Sequence, residues 1–318
     1  MGQTAWGWLI AIYLFLGGLG AGAFLITCMV EWTGIRYRYE FCPGTLVGAG
    51  VSGVVVGLGA LLLIFDLGAG KTQPWRILWM FIHPTSVMTW GIWILSIFIP
   101  LGIIYGLVEL LSQMPSWDAW VRKKLPWFKA EWRTVKKPLT IVGAIFAVGT
   151  AVYTGVLISA VGPAIPFWSA PIFAGTSIPI LPVLFLVSAI STGMGLVLDL
   201  VGTIAIPEIV QRYHALPIIH LILIGLEAIL IGLYLLSAYQ LGGAGAFAAS
   251  LVVSGPLSVV FWAFVVLPGL FLPFMIHVYA IGAGRHSPIW GVVSGVGIVM
   301  AGLFLRYIII FAGVPAFL

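Results

Sequence analysis

With 318 residues, 62% of them hydrophobic and only 7% charged, the protein cannot clothe a water-soluble globule, which carries about 25% charged residues. Its net charge of +5 therefore belongs with the loops of a membrane protein and not with nucleic acid. Long Leu/Ile/Val/Gly runs exclude a barrel, whose strands alternate over about ten residues; a helix satisfies its own backbone in lipid.

The predicted fold is an all-α integral membrane protein with eight spans, at 6–30, 45–67, 86–111, 139–161, 177–202, 216–237, 257–281 and 289–313. Each is close to or above the roughly 20 residues that a bilayer needs. The first opens with "MGQTA", which has no charged side chain, and its apolar run outlasts the h-region of a leader, so a span and not a cleaved signal is expected. Within it "WGWLIAIYLFLGGLGAGAFLI" places Gly18 and Gly22 on one helical face. Small residues let helix backbones approach in lipid. The same face, flanked by Trp6, Tyr13 and Phe15, also suits a slot for a flat ring. Composition leaves both readings open.

Span 2 ends in "FDLG" with Asp66, and the loop "GAGKTQPWRILWMFIHP" follows with Lys71, Arg76 and His83. Asp66 either pairs with one of those cations or joins a site with His83, which otherwise caps the start of span 3. The longest loop, 112–138, mixes four tryptophans with basic residues and is expected to lie along the membrane surface. Span 4 carries Tyr153 in its outer third. The next loop, "GPAIPFWSAPIFAGT", and the one after span 6, "LGGAGAFAASLVVSGP", are uncharged. They read equally as compact loops at the headgroups or as a docking face.

Eleven of the fourteen basic residues follow spans 1, 3, 5 and 7: Arg36, Arg38, Arg122, Lys123, Lys124, Lys129, Arg133, Lys136, Lys137, Arg212 and Arg285. By the positive-inside rule those loops are cytoplasmic and both termini extracytoplasmic. "LFLGGLGAG" at 14–22 resembles "LFLVSAISTG" at 184–193. Four spans separate the copies, which suggests two four-helix bundles, 1–161 and 162–318, in the same orientation.

Ionisable groups inside spans mark function by default. Asp66, His83 and Tyr153 fall at similar outer depth and suit a quinone, which needs a donor at a carbonyl oxygen and a proton route. Asp199, His220 and His277 lie inward, Glu227 is near mid-membrane in span 6, Arg306 is in the outer half of span 8, and Glu31 and Glu109 sit at inner ends. The group of Glu227, Asp199, His220, His277, Arg306 and Glu109 reads either as a proton path or as a hydrogen-bonded core cluster. His220 and His277 match in depth as a haem pair would, but two-haem membrane cytochromes use two such pairs; no haem is expected. Cys28 and Cys42 form no ligand set, so neither a disulfide nor a metal site is expected.

Four stretches together are similar to the NrfD/PsrC family of membrane anchor subunits: "WGWLIAIYLFLGGLGAG", "FDLGAGKTQPWR" followed by "HP", "YTGVLISAVGPAIPFW" and "FLRYIIIFAG". The resemblance spans all eight segments. It implies two four-helix bundles without haem, located in the cytoplasmic (inner) membrane. It implies menaquinone or ubiquinone bound near the outer face of the first bundle, with Tyr153 at the quinone, Asp66 and His83 as neighbours, and Tyr13, Gly18 and Gly22 lining it. It further implies an extracytoplasmic iron–sulfur partner with several clusters and a molybdopterin catalytic subunit. Some relatives carry Asn and His in span 1; here the nearest polar group is Tyr13, and Gly20 stands about where a histidine is found. A secondary transporter is the competing reading, since parallel repeats and a mid-membrane Glu227 suit one.

Overall fold

The computed structural model describes residues 6–35, 42–66, 74–124, 131–173, 175–205, 215–283 and 287–316. Eight helices long and apolar enough to cross a membrane run Trp8–Trp32, Pro43–Asp66, Val87–Gln113, Trp132–Ser159, Leu181–Gly202, Leu216–Gln240, Ser258–Ala283 and Pro288–Phe311. They are called spans 1 to 8, and the protein is a multi-pass membrane protein. Eight crossings among the described residues put Trp8 and Phe311 on one side, here called the terminal face; the other is the basic face.

Spans 1 to 4 pack on one another in a ring, and spans 5 to 8 do the same. The seam is made by span 1 against spans 5 and 8, and by spans 2 and 4 against span 5. Spans 1 and 5 are the most buried, and spans 6 and 7 the least. Apolar area is not what selects the seam, because lipid is as apolar as a leucine side chain; close backbone approach is. At Gly22 any side chain would collide with the backbone carbonyl of Ala189, and at Gly193 with the backbone of Gly22. The two similar stretches of spans 1 and 5 thus meet each other. Gly20 is closed in the same way by span 2, where the carbonyl of Ser52 lies 2.7 Å from the position a Cβ would take.

Two spans are not α-helical throughout. Span 5 widens into a π-helix at Gly195–Gly202 and span 7 at Phe261–Phe271. Pro268 explains the second, because it has no N–H to give and its ring displaces the preceding turn. In the first, the Leu198 carbonyl accepts the Thr203 backbone N–H five residues on, the π-helical spacing, and also accepts from Thr203 Oγ1 at 3.2 Å.

The loops depart from expectation in two places. The segment 112–138 is not one surface loop: it holds the helix Pro115–Lys124, and span 4 begins early, at Trp132. Span 4 therefore takes in Lys136, and the reason is electrostatic. Lys136 is buried and its Nζ lies 2.8 Å from Glu109 and 3.2 Å from Glu31. The uncharged stretch after span 6 contains a helix, Gly243–Val253. The other uncharged loop folds down onto the bundle: Trp168 Nε1 donates to the Ile309 carbonyl at 2.6 Å, Tyr234 Oη to the Phe167 carbonyl at 2.7 Å, and Trp6 stacks on Trp168 at 5.0 Å.

Candidate functional site

Among the described residues, four buried polar groups occupy the interior. The first lies toward the terminal face, among spans 1 to 4. Tyr13 of span 1 and Tyr153 of span 4 are buried with their hydroxyls facing one another, and neither oxygen hydrogen-bonds to any other group. Glycines on the other two spans make room for them. Gly59 of span 2 lies against the Tyr13 ring, and the Tyr153 ring fills the space where Gly91 of span 3 lacks a side chain. Two phenols with no polar neighbour but each other leave hydrogen-bonding capacity unmet in an apolar interior, at about 1–3 kcal/mol for an unsatisfied group. Such an arrangement suits a ligand that presents an acceptor oxygen.

Asp66 and His83, expected beside Tyr153, sit at the rim of this region. Asp66 closes span 2, half-buried. His83 is exposed on the turn before span 3, where its carbonyl accepts the Ser86 N–H at 2.9 Å, and it lines a shallow groove with Trp79, Met80 and Thr89. Lys71 lies outside the described residues and the side chain of Arg76 is not described, so neither pairing with Asp66 is assigned. The slot expected at the span 1 glycines is filled: Gly22 by the backbone of span 5, and Gly18 by the guanidinium of Arg306, whose Nη2 is 3.0 Å from the site of a Cβ. These glycines serve helix contact.

The second group follows from Arg306 into the second set of spans. Its Nη1 donates to Ser188 Oγ at 2.6 Å and to the Gly302 carbonyl at 2.9 Å, and the guanidinium lies 4.9 Å over the Phe185 ring. The carboxyl of Glu227 faces Ser188 and Ser191 and lies within reach of the Arg306 charge. The two ionisable side chains of spans 6 and 8 thus lie near each other, while Arg306 Nε and Nη2 keep no hydrogen-bond partner.

Nearer the basic face, Asp199, His220 and His277 converge from spans 5, 6 and 7. Asp199 Oδ2 is 3.1 Å from His220 Nδ1 and 3.3 Å from His277 Nε2, and the two ring nitrogens are 3.1 Å apart. Ser294 of span 8 donates to Asp199 Oδ2 at 2.8 Å. His277 and Asp199 also line a cavity of about 600 Å³, otherwise walled largely by Leu, Met, Ile, Tyr and Trp side chains. The two imidazoles point at one place and do not flank a plane. Sequence spacing hides this group, because its members stand on separate helices; equal depth was the one available signal.

Glu109 belongs elsewhere. It accepts from Thr45 Oγ1 at 2.7 Å, Gln113 Nε2 at 2.6 Å and Lys136 Nζ at 2.8 Å. Gln113 also bonds both backbone groups of Cys42, at the start of span 2. The cluster ties spans 1 to 4 together at the basic face. Cys28 and Cys42 are buried free thiols.

Eight membrane-crossing spans with ionisable groups buried between them define a multi-pass membrane protein, and likeness to known proteins gives that class its family. The family described as "Polysulphide reductase, NrfD" matches residues 1–317. The C subunit of the polysulfide reductase of Wolinella succinogenes is 32% identical, over 98% of this sequence and 94% of its own length. Protein NrfD of Escherichia coli is 29% identical and a Haemophilus influenzae NrfD homolog 24%, each over 98% of this sequence and 95% of its own. The protein belongs to the NrfD family, and so to the membrane subunits of redox complexes.

Proposed function

We propose that this protein is the quinone-reactive subunit of a respiratory oxidoreductase in the cytoplasmic membrane. It takes menaquinone or ubiquinone among spans 1 to 4 near the terminal face. Electrons pass between that site and an extracytoplasmic iron–sulfur subunit, which in turn serves a molybdopterin catalytic subunit. The observation that carries this reading is the pair of buried phenols at Tyr13 and Tyr153, which face each other and hydrogen-bond to nothing else. A quinone, when bound, supplies two-electron chemistry coupled to two protons. Tyr153 and Tyr13 would each donate a hydrogen bond to a carbonyl oxygen and fix the ring's position. Asp66 and His83, at the water-facing rim, would exchange protons with the outside. The Arg306–Ser188–Glu227 row gives an inward continuation along which a proton-coupled cycle could extend.

The test is quinol-linked turnover of the assembled complex. Tyr153→Phe and Tyr13→Phe each delete one oxygen and leave the ring. Turnover should fall by at least about tenfold, the effect of one lost hydrogen bond, while the subunits still co-purify. Wild-type rates in both variants would overturn the site.

A further inference from the structure

We propose that Asp199, His220 and His277 form a binding site for a divalent transition ion of the zinc type, with a fourth coordination position opening toward the adjoining cavity. The geometry carries it. Two imidazole nitrogens and one carboxylate oxygen form a triangle with edges of 3.1, 3.1 and 3.3 Å. Ligands at about 2.0–2.1 Å from a tetrahedral ion stand about 3.3 Å from one another. The triangle therefore matches one face of such a tetrahedron without any rearrangement.

Hydrogen bonding alone accounts for the triangle poorly. Each ring nitrogen offers a single direction, either an N–H or a lone pair, and cannot lie along two edges at once. Asp199 Oδ2 is already occupied on another side by the Ser294 hydroxyl, 2.8 Å away. A cation between the three atoms meets all of them together. The donor set, two imidazoles and a carboxylate, is one that open-sided zinc sites use.

The surroundings supply what a site needs beyond its ligands. Ser294 orients the carboxylate through its hydrogen bond, as outer partners of metal ligands do. The cavity of about 600 Å³, lined by both Asp199 and His277, gives an ion or a small fourth ligand a way in. The π-helix at Gly195–Gly202 carries Asp199, and a widened turn of this kind often marks a functional position.

The experiment uses the full-length protein, purified in detergent without a polyhistidine tag, stripped with a chelator and titrated with cobalt(II). The expected result is one equivalent bound, with the intense visible bands of tetrahedral cobalt, bleached by one equivalent of zinc. His220→Asn and His277→Asn should each weaken binding by more than about 100-fold. Ser294→Ala should weaken it by about 10–100-fold, as loss of an outer partner does. Weak octahedral-type bands, no saturation near one equivalent, or unchanged affinity in the histidine variants would each overturn the proposal. If a histidine variant does not elute as a single folded species, the wild-type spectrum and the Ser294→Ala titration decide.

Discussion

Glycine in this protein has two distinct uses, and they differ in what a methyl group would meet. At Gly18 the neighbour is the far end of a long side chain, the Arg306 guanidinium, with Nη2 3.0 Å from a Cβ. At Gly22 the neighbour is the Ala189 backbone, which is fixed by its own helix. An added methyl can push an arginine tip aside at small cost but must force two spans apart at Gly22. Gly22→Ala should therefore lower stability by about 1–3 kcal/mol, the range for overpacking, and Gly18→Ala by clearly less. Thermal unfolding in detergent measures both; equal losses would show that the seam yields as easily as a side chain. The opening glycine run was legible as a contact surface, but not which partner each glycine meets, since that depends on spans far away in the sequence.

At the scale of elements, the basic face is held by ions and not by loop length. Lys136 reaches Glu31 of span 1 and Glu109 of span 3 from span 4, all three buried. Replacing the ammonium by an apolar group leaves two carboxylates facing each other in a dry interior. Lys136→Met should cost about 3–5 kcal/mol, seen as a large drop in melting temperature; a neutral result would mean that the carboxylates are protonated or served otherwise. The helix Pro115–Lys124 is attached more lightly. Asp118 accepts from Arg122 Nε at 2.9 Å and from Trp132 Nε1 at 2.7 Å, which links this helix to the start of span 4. The Arg122 hydrogen bond, with that of Trp132 and the guanidinium's charge, holds the Asp118 carboxyl below its ordinary 3.8. A lowered carboxyl favours the folded state above the unfolded value, and the benefit goes as pH falls through the lowered one. The difference in melting temperature between wild type and Asp118→Asn should thus be constant above about pH 5 and vanish in stronger acid. A difference that grew on acidification would contradict the assignment. Lys136 was read from the sequence as a loop charge because a basic residue near an apolar run looks like topology; its partners, on other spans, could not be seen in one dimension.

Across the whole molecule, what a single span must do for itself was legible and what spans do jointly was not. Apolar runs long enough to cross lipid fixed eight crossings within a few residues, and depth placed Asp199, His220 and His277 together. The π-helices, the fit of Tyr153 against Gly91 and the Arg306–Ser188 bond arise only when helices meet. The terminal face shows the same limit. Its two uncharged segments suited either a compact fold or a docking surface, and the compact fold found there leaves aromatic groups outward. Residues 162–173 are pinned by Trp168 to span 8 and by Phe167 to Tyr234 of span 6, while Phe173 and Phe247 stay 70% and 54% exposed. Rigid aromatic groups on an uncharged face lose little freedom on association, which is what a lasting partner contact needs. If the iron–sulfur partner docks there, Phe173→Glu with Phe247→Glu should weaken its retention at least tenfold, about 1.4 kcal/mol, while quinone binding by the separated subunit stays unchanged. Pull-down of the partner at graded concentrations reads the first effect and titration with a quinone analogue the second. Full retention of the partner by the double variant would move the contact to another part of this face.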